Sequence, residues 1–281
     1  NNTIQGNVLP GTNTFLALSN TAADSVTLNI NGNIIRNNSK IVGTAGNGGT
    51  MTLIGVGSPK AGVTTCVTNV NNNSFINNFI TGGATNATLS AILQTGTSNY
   101  TISNNNIDNL YITGLSSTAI GTVRFYTNTG GQQNETVSNN TISNLYVTGN
   151  STVTHLIAGI LNNTSGASTR TVNNNTIYNL FTNGASAALI QGIDSRVGGT
   201  VNVYNNRIYN LYSGTGSTSL ISGIRHLNGG GNGLTTTNLP VNTFNNMIAL
   251  NLTNASAATG GIASDGVMTS SESLRGIGIE S

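Results

Sequence analysis

Large apolar residues return along this chain at Ile4, Ile35, Phe75, Ile107, Ile142, Ile177, Ile208 and Ile248. Each stands two positions after an Asn, giving the series Asn2, Asn33, Asn73, Asn105, Asn140, Asn175, Asn206 and Asn246. Three positions before that Asn, wherever the chain extends so far, stands a branched residue: Ile30, Val70, Ile102, Val137, Val172, Val203 or Thr243. Apolar spacing of 3.6 residues is absent, which excludes a helical repeat. Successive copies of the motif, V-x-N-N-x-I-x-N-L-aromatic, are 31, 40, 32, 35, 35, 31 and 40 residues apart. A constant short motif at variable intervals predicts strands of fixed length joined by loops of variable length.

The residue just before each motif Asn is Asn1, Gly32, Asn72, Asn104, Asn139, Asn174, Asn205 or Asn245. Asn and Gly best tolerate the left-handed backbone conformation, so the pattern predicts a tight corner between two short strands. A second element begins 13 to 20 residues after each motif Asn. It reads Leu53-Ile54-Gly55-Val56, Ala119-Ile120-Gly121-Thr122, Ile157-Ala158-Gly159-Ile160, Ile190-Gln191-Gly192-Ile193, Ile221-Ser222-Gly223-Ile224 and Thr259-Gly260-Gly261-Ile262. Ser90-Ala91-Ile92-Leu93 is a version without Gly, and Phe15-Leu16-Ala17-Leu18 is a further candidate. This element predicts a third strand, with Gly where a neighbouring backbone approaches closely.

Each repeat then forms one turn of a three-sided coil, and about eight such coils stack with every strand parallel to its equivalents. The motif Asn column is expected to form a side-chain ladder, because an amide both donates and accepts. A second column, Asn37, Asn77, Asn109, Asn144, Asn179 and Asn210, is expected to do the same until Leu250 breaks it. The aromatic column Phe79, Tyr111, Tyr146, Phe181 and Tyr212 is expected to stack in the core or at its rim, with an exposed carbohydrate platform as the alternative.

Composition narrows the picture. Charged residues make up 6% and the net charge is +2, so nothing favours nucleic acid or an acidic membrane surface as partner. Asn occurs 48 times. A polar chain of low charge fits a disordered linker, but apolar residues at fixed offsets argue for a packed core. The lone Cys66 provides no internal disulfide and reads as a buried small hydrophobe. No run approaches the ~18 apolar residues of a spanning helix, and no secretory leader is visible. The chain opens inside a motif copy without an initiator Met. It is expected to be a single β-helix domain over residues 1–281, part of a longer secreted protein.

The N-N-x-I corners flanked by apolar strands resemble the right-handed parallel β-helix of the pectate-lyase-like superfamily, over roughly residues 1–263. The Asn/Thr/Ser/Gly-rich style with N-x-I-x-N-L-Y also resembles the large secreted β-helix proteins of Bacteroidota exported by type IX secretion. These resemblances imply an extracellular or cell-surface location. In enzymes of that superfamily the substrate cleft lies on a strand of the third kind and its following loop. Aligned on the Gly of that strand, Asp194 and Arg225 fall on adjacent coils, with Arg196, His226 and Asp265 close by. Carboxylates and bases so gathered could serve β-elimination or glycoside hydrolysis. The plainer reading is an inter-coil salt bridge on a solvated face. Neither His155 nor His226 sits in a metal-ligand spacing, and both read as isolated surface residues; no metal or cofactor is expected.

The expected function is a secreted or cell-surface structural and adhesive module, non-enzymatic, with a place in an extracellular assembly. The alternative is a polysaccharide lyase or glycoside hydrolase working on the face after the third strand. Candidate partners are a second copy or flanking domains capping the coil ends, and glycans. The N-x-S/T triplets are those expected by chance in such a composition, and Asp24-Ser25-Val26 is a single match to a short O-glycosylation signal.

Overall fold

The computed structural model describes residues 1–11, 13–20, 27–43, 49–57, 66–83, 85–96, 98–130, 134–163, 169–197, 199–213, 218–228, 240–250 and 273–280. Asp24-Ser25-Val26, the Gly-rich run 229–233, Thr259–Ile262 and Asp265 lie outside these residues.

The chain winds as an all-β parallel solenoid with three sides. The first side is a seven-stranded parallel sheet running from Thr27–Asn31 at one edge to Val241–Phe244 at the other. The second and third sides are joined in one sixteen-stranded parallel sheet, because Thr141–Asn162 and Thr176–Val197 each run through the bend between them. The motif count suggested about eight coils, whereas about five turns are complete. They run from Val67–Asn71 to Thr218–Asn228. Shorter strands form partial turns outside them, such as Thr3–Gln5 and Val8–Pro10 at one end and Met247–Ala249 at the other.

The predicted corner is real. Asn72, Asn104, Asn139, Asn174, Asn205, Asn245 and Gly32 all have φ between 53° and 67°. The corner turns the next residue, the motif Asn, inward, where it makes a ladder with constant polarity. Asn33, Asn73, Asn105, Asn140 and Asn175 each donate both backbone N–H and Nδ2 to the Oδ1 of the next coil's Asn, at 2.8–3.0 Å. From Asn73 to Asn246 each Nδ2 also donates to a carbonyl of the preceding first-side strand, beginning with Ile30 and ending with Val203, at 2.8–3.0 Å. Nearly every buried polar atom in the column is satisfied, so the column carries little desolvation penalty.

The second Asn column forms a ladder as expected, at four of its five links, and has a further part that was not expected. Asn37, Asn77, Asn109, Asn144, Asn179 and Asn210 have φ of 53–60°, so they are a second left-handed corner within the second side. Their side chains still ladder where they can, as in Asn77 to Asn37 at 2.9 Å and Asn179 to Asn144 at 3.0 Å. At Asn144 the chain of amides is diverted, because its Nδ2 donates to Asp108 Oδ1 at 2.6 Å. The residue after this corner points inward: Asn38 and Asn78 in the early coils, bonded at 2.9 Å, then Leu110, Leu145, Leu180 and Leu211. A corner between Ile177 and Leu180 also explains why Leu180-Phe181 broke strict alternation. The corner resets the phase, sending Leu180 in and Phe181 out.

Core columns follow from these phases. Ile35, Phe75, Ile107, Ile142, Ile177 and Ile208 are fully buried along one line, and Val70, Ile102, Val137 and Val203 along another. At the third side, Gly159 and Gly192 are dictated by close approach. A Cβ on either would sit 2.6 Å from the carbonyl oxygen of the next coil's Gly. Strand register corrects part of the expected alignment here. Ile160 pairs with Tyr126, and Ile92 with both Tyr126 and Ile54. The equivalents of Gly159 are therefore Phe125, Ala91 and Leu53, and Gly55 and Gly121 are not members of the column. The final copy is Leu274-Arg275-Gly276-Ile277, whose strand pairs with Thr218–Asn228.

Candidate functional site

Asp194 and Arg225 are register partners on adjacent coils, as expected, and Arg225 Nη1 lies 3.8 Å from Asp194 Oδ2. The face is not a solvated one, however. The Asp194 side chain is only 2% exposed and that of Arg225 13%. Ser195 pairs with His226 one position on, and both are buried. His226 therefore points into the rod, where its Nε2 lies 2.9 Å from Thr243 Oγ1. Arg196 follows on the same strand, paired with Leu227. Asp265 falls outside the described residues, and the residue in register beside Arg225 on the next coil is Gly278. The expected quintet thus resolves into one buried ion pair, an inward histidine and an arginine on the strand. A second carboxylate is not supplied by the register.

The two histidines overturn their expectation as surface residues. His155 is fully buried, and its Nδ1 accepts the Gly121 N–H at 3.1 Å, which fixes the neutral tautomer with the proton on Nε2. Burial pulls both His155 and His226 down to about 4. Each is thus an uncharged core residue at neutral pH. Cys66 is buried, as expected.

A buried charge cluster among the described residues escaped the sequence reading. Glu135 and Arg170, both buried, are register partners on adjacent first-side strands. The Glu135 carboxylate accepts from Asn128 Nδ2 at 2.8 Å and from Asn162 Nδ2, and Tyr126 adjoins it. Burial pushes the Glu135 carboxyl up, against the opposing pull of Arg170 and the amide donors. The same burial pushes the Tyr126 hydroxyl well above its ordinary range. The signal was present: Glu135 and Arg170 lie two residues before Val137 and Val172, hence on the same inward phase. This enclosed pair, with one Glu135 oxygen held by both amides and the other without a hydrogen-bond partner, links neighbouring coils at a register position.

The outward line of the first side is neutral, whereas the second side exposes Arg36 and Arg207. On the first side the outward positions carry Asn29, Asn69, Thr101, Thr136, Thr171, Asn202 and Asn242 in one line along the rod. Several of these amides bond to one another, as Asn69 to Asn29 and Asn242 to Asn202, both at 2.8 Å. On the second side Phe79, Tyr111, Tyr146, Phe181 and Tyr212 stack in one column with centroids 4.7–5.0 Å apart and planes within 10°. These rings are half-buried, which settles them at the rim. Each internal ring has both faces covered by its neighbours, so the column offers edges, not the open faces on which a sugar ring would stack.

Among the described residues no three His, Cys, Asp or Glu side chains gather as metal ligands, and no helix is long and apolar enough to cross a membrane. Comparison with protein-family models, with curated proteins and with solved structures returned no match in any of the three. The geometry carries the functional reading by itself: a parallel β-solenoid held by an asparagine ladder, with several of its charges enclosed and one outward flank, the first side, lined by neutral Asn and Thr.

Proposed function

We propose that this chain is a structural and adhesive β-solenoid module, secreted or displayed at a cell surface, that presents a repeating neutral flank within an extracellular assembly. The observation that carries this reading is the first side's outward line of Asn and Thr, repeated once per coil and free of charge. Amides and hydroxyls at a regular strand spacing match the chemistry of uncharged polysaccharides, which offer hydroxyls at a comparable repeat. The style of the sequence, close to that of large secreted β-helix proteins, supports the extracellular setting. The test is a binding and depolymerisation screen against neutral and acidic polysaccharides. Retention on neutral glycans without shortening of the polymer is expected, and depolymerisation at an enzymatic rate would overturn the reading.

A second reading, polysaccharide lyase or glycoside hydrolase, is favoured by the Asp194–Arg225 pair, a charged group on the strand that carries the cleft in pectate-lyase-like enzymes. It requires an acid–base partner within about 5–10 Å of Asp194. A double substitution of Asp194 and Arg225 by Ala that leaves any measured turnover unchanged would remove it.

A further inference from the structure

We propose that the second side carries a subsite for one pyranose ring, bounded by Asp108, Ser143 and Tyr178 on three successive coils. These residues are register partners in one outward column, Asp108 with Ser143 and Ser143 with Tyr178, and Tyr209 continues the column beyond Tyr178. Their outward phase follows from alternation, because Ile107, Ile142, Ile177 and Ile208 beside them are fully buried.

The column holds a short aromatic stack with one closed end and one open end. Tyr178 and Tyr209 stack with centroids 4.9 Å apart and planes 2° apart. The Arg207 guanidinium lies over the Tyr209 ring at 5.1 Å. It takes the face that Tyr178 leaves free, since one ring face cannot hold both. Towards the other end the next residue is Ser143, whose side chain stops well below a tyrosine ring. The Tyr178 face directed at Ser143 therefore meets no ring, unlike the internal members of the column running from Phe79 to Tyr212. Tyr178 is half-buried, so this face is within reach of a ligand.

Spacing decides what fits. Asp108 and Tyr178 stand two strand spacings apart, about 10 Å. Continuing the stack by its own 4.9 Å repeat puts one further ring midway, over Ser143.

The polar groups around that position select a sugar. Asp108 accepts from Ser143 Oγ at 2.9 Å and from Asn144 Nδ2 at 2.6 Å, both through Oδ1. The carboxylate is thus held in place, and Oδ2 of this half-buried residue stays available as an acceptor. Thr141 and Thr176 are the outward residues two positions before Ser143 and Tyr178, register partners and half-buried, so their hydroxyls flank the gap. Hydroxyls both donate and accept, as those of a sugar do. The C–H face of a pyranose suits the negative face of the tyrosine ring. A cationic side chain matches Tyr178 and Asp108 alone and makes no use of the threonines as donors.

The subsite lies on a different side from the neutral Asn and Thr flank and does not rest on that flank's binding glycans. Its test titrates the 281-residue chain with methyl β-glucopyranoside and methyl β-galactopyranoside by saturation-transfer NMR, with methylguanidinium as the cationic comparison. Saturable binding of a glycoside is expected, with transfer strongest to the C–H protons of one ring face. Ser143→Tyr fills the gap with the ring its register partner already carries, and should abolish binding with the circular dichroism unchanged. Tyr178→Ala should weaken binding about tenfold, the equivalent of one lost ring contact. Polymer retention by the first side is read separately, because neither substitution touches that side. No saturable binding of either glycoside, undiminished binding in both variants, or tighter binding of methylguanidinium than of either sugar would each overturn the proposal.

Discussion

Removing one rung from the middle of the asparagine ladder should cost far more than removing the rung at its end. Asn140 is 1% exposed and occupies four side-chain hydrogen bonds. Its Oδ1 accepts the Asn105 N–H at 2.9 Å and Asn105 Nδ2 at 3.0 Å, and its Nδ2 donates to Ile102 O at 3.0 Å and Asn175 Oδ1 at 2.9 Å. In Asn140→Ala, Asn105 Nδ2 keeps its bond to Val70 O and Asn175 Oδ1 keeps the backbone N–H of residue 140. The Asn105 N–H loses its acceptor and the Ile102 carbonyl loses its Asn140 Nδ2 donor, leaving two buried backbone groups underserved. At about 1–3 kcal/mol per unsatisfied buried group, the cost is about 2–6 kcal/mol. Asn2→Ala removes only the terminal Nδ2 donation to Asn33 Oδ1, which keeps the Asn2 N–H, so less than about 1 kcal/mol is expected. Urea unfolding followed by circular dichroism measures both, with the slope of the transition checked because stacked repeats can unfold in parts. If Asn140→Ala lost no more than Asn2→Ala, the ladder would be a consequence of the fold and not a support for it.

Three further outcomes follow from the same geometry. Asn174 sits at φ 56°, so Asn174→Gly should be nearly neutral and Asn174→Val should cost about 1–2 kcal/mol or more, read by the same unfolding assay. His155 and His226 are held neutral with values near 4, below the ordinary 6.5, so the unfolded chain binds more protons between those limits. Stability from this source is fully present above pH 6.5 and falls as pH drops towards 4, by on the order of 3 kcal/mol per histidine; thermal unfolding across that range should flatten in His155→Gln, and an unchanged slope would refute it. Tyr146 stacks on Tyr111 at 4.8 Å and Phe181 at 4.7 Å, so Tyr146→Ala forfeits two ring contacts, about 1–3 kcal/mol beyond lost burial, and a double-mutant cycle with Phe181 should return a coupling of about 0.5–1.5 kcal/mol.

Much of the architecture was legible before any coordinates, for a physical reason. A left-handed corner admits few residue types, so Asn or Gly at 32, 72, 104, 139, 174, 205 and 245 marks the turn with little ambiguity. An inward amide must find a partner, and identical neighbours one coil away are the simplest ones, so the ladder follows from the repeat. Inward phase on the first side follows from alternation, and that alone would have placed Glu135 and Arg170 indoors had charge not been assumed to face water.

The third side resisted the same reasoning. Its motif is a Gly between apolar residues, and Gly is dictated only where a neighbouring carbonyl comes within 2.6 Å, as at Gly159 and Gly192. Where the early coils have room, Leu53, Ala91 and Phe125 take the place, so a Gly-based alignment slips by residues that only strand register reveals. Burial of His155, His226 and Asp194 depends on which coils and faces close over them, a relation between residues about 30 positions apart. The sequence by itself determined the corner, the ladder and the parallel stack, because those depend on backbone conformations and pairings repeated in every copy. Only the tertiary structure decided which charges are enclosed and how the third strands register, because each depends on what lies one coil above or below.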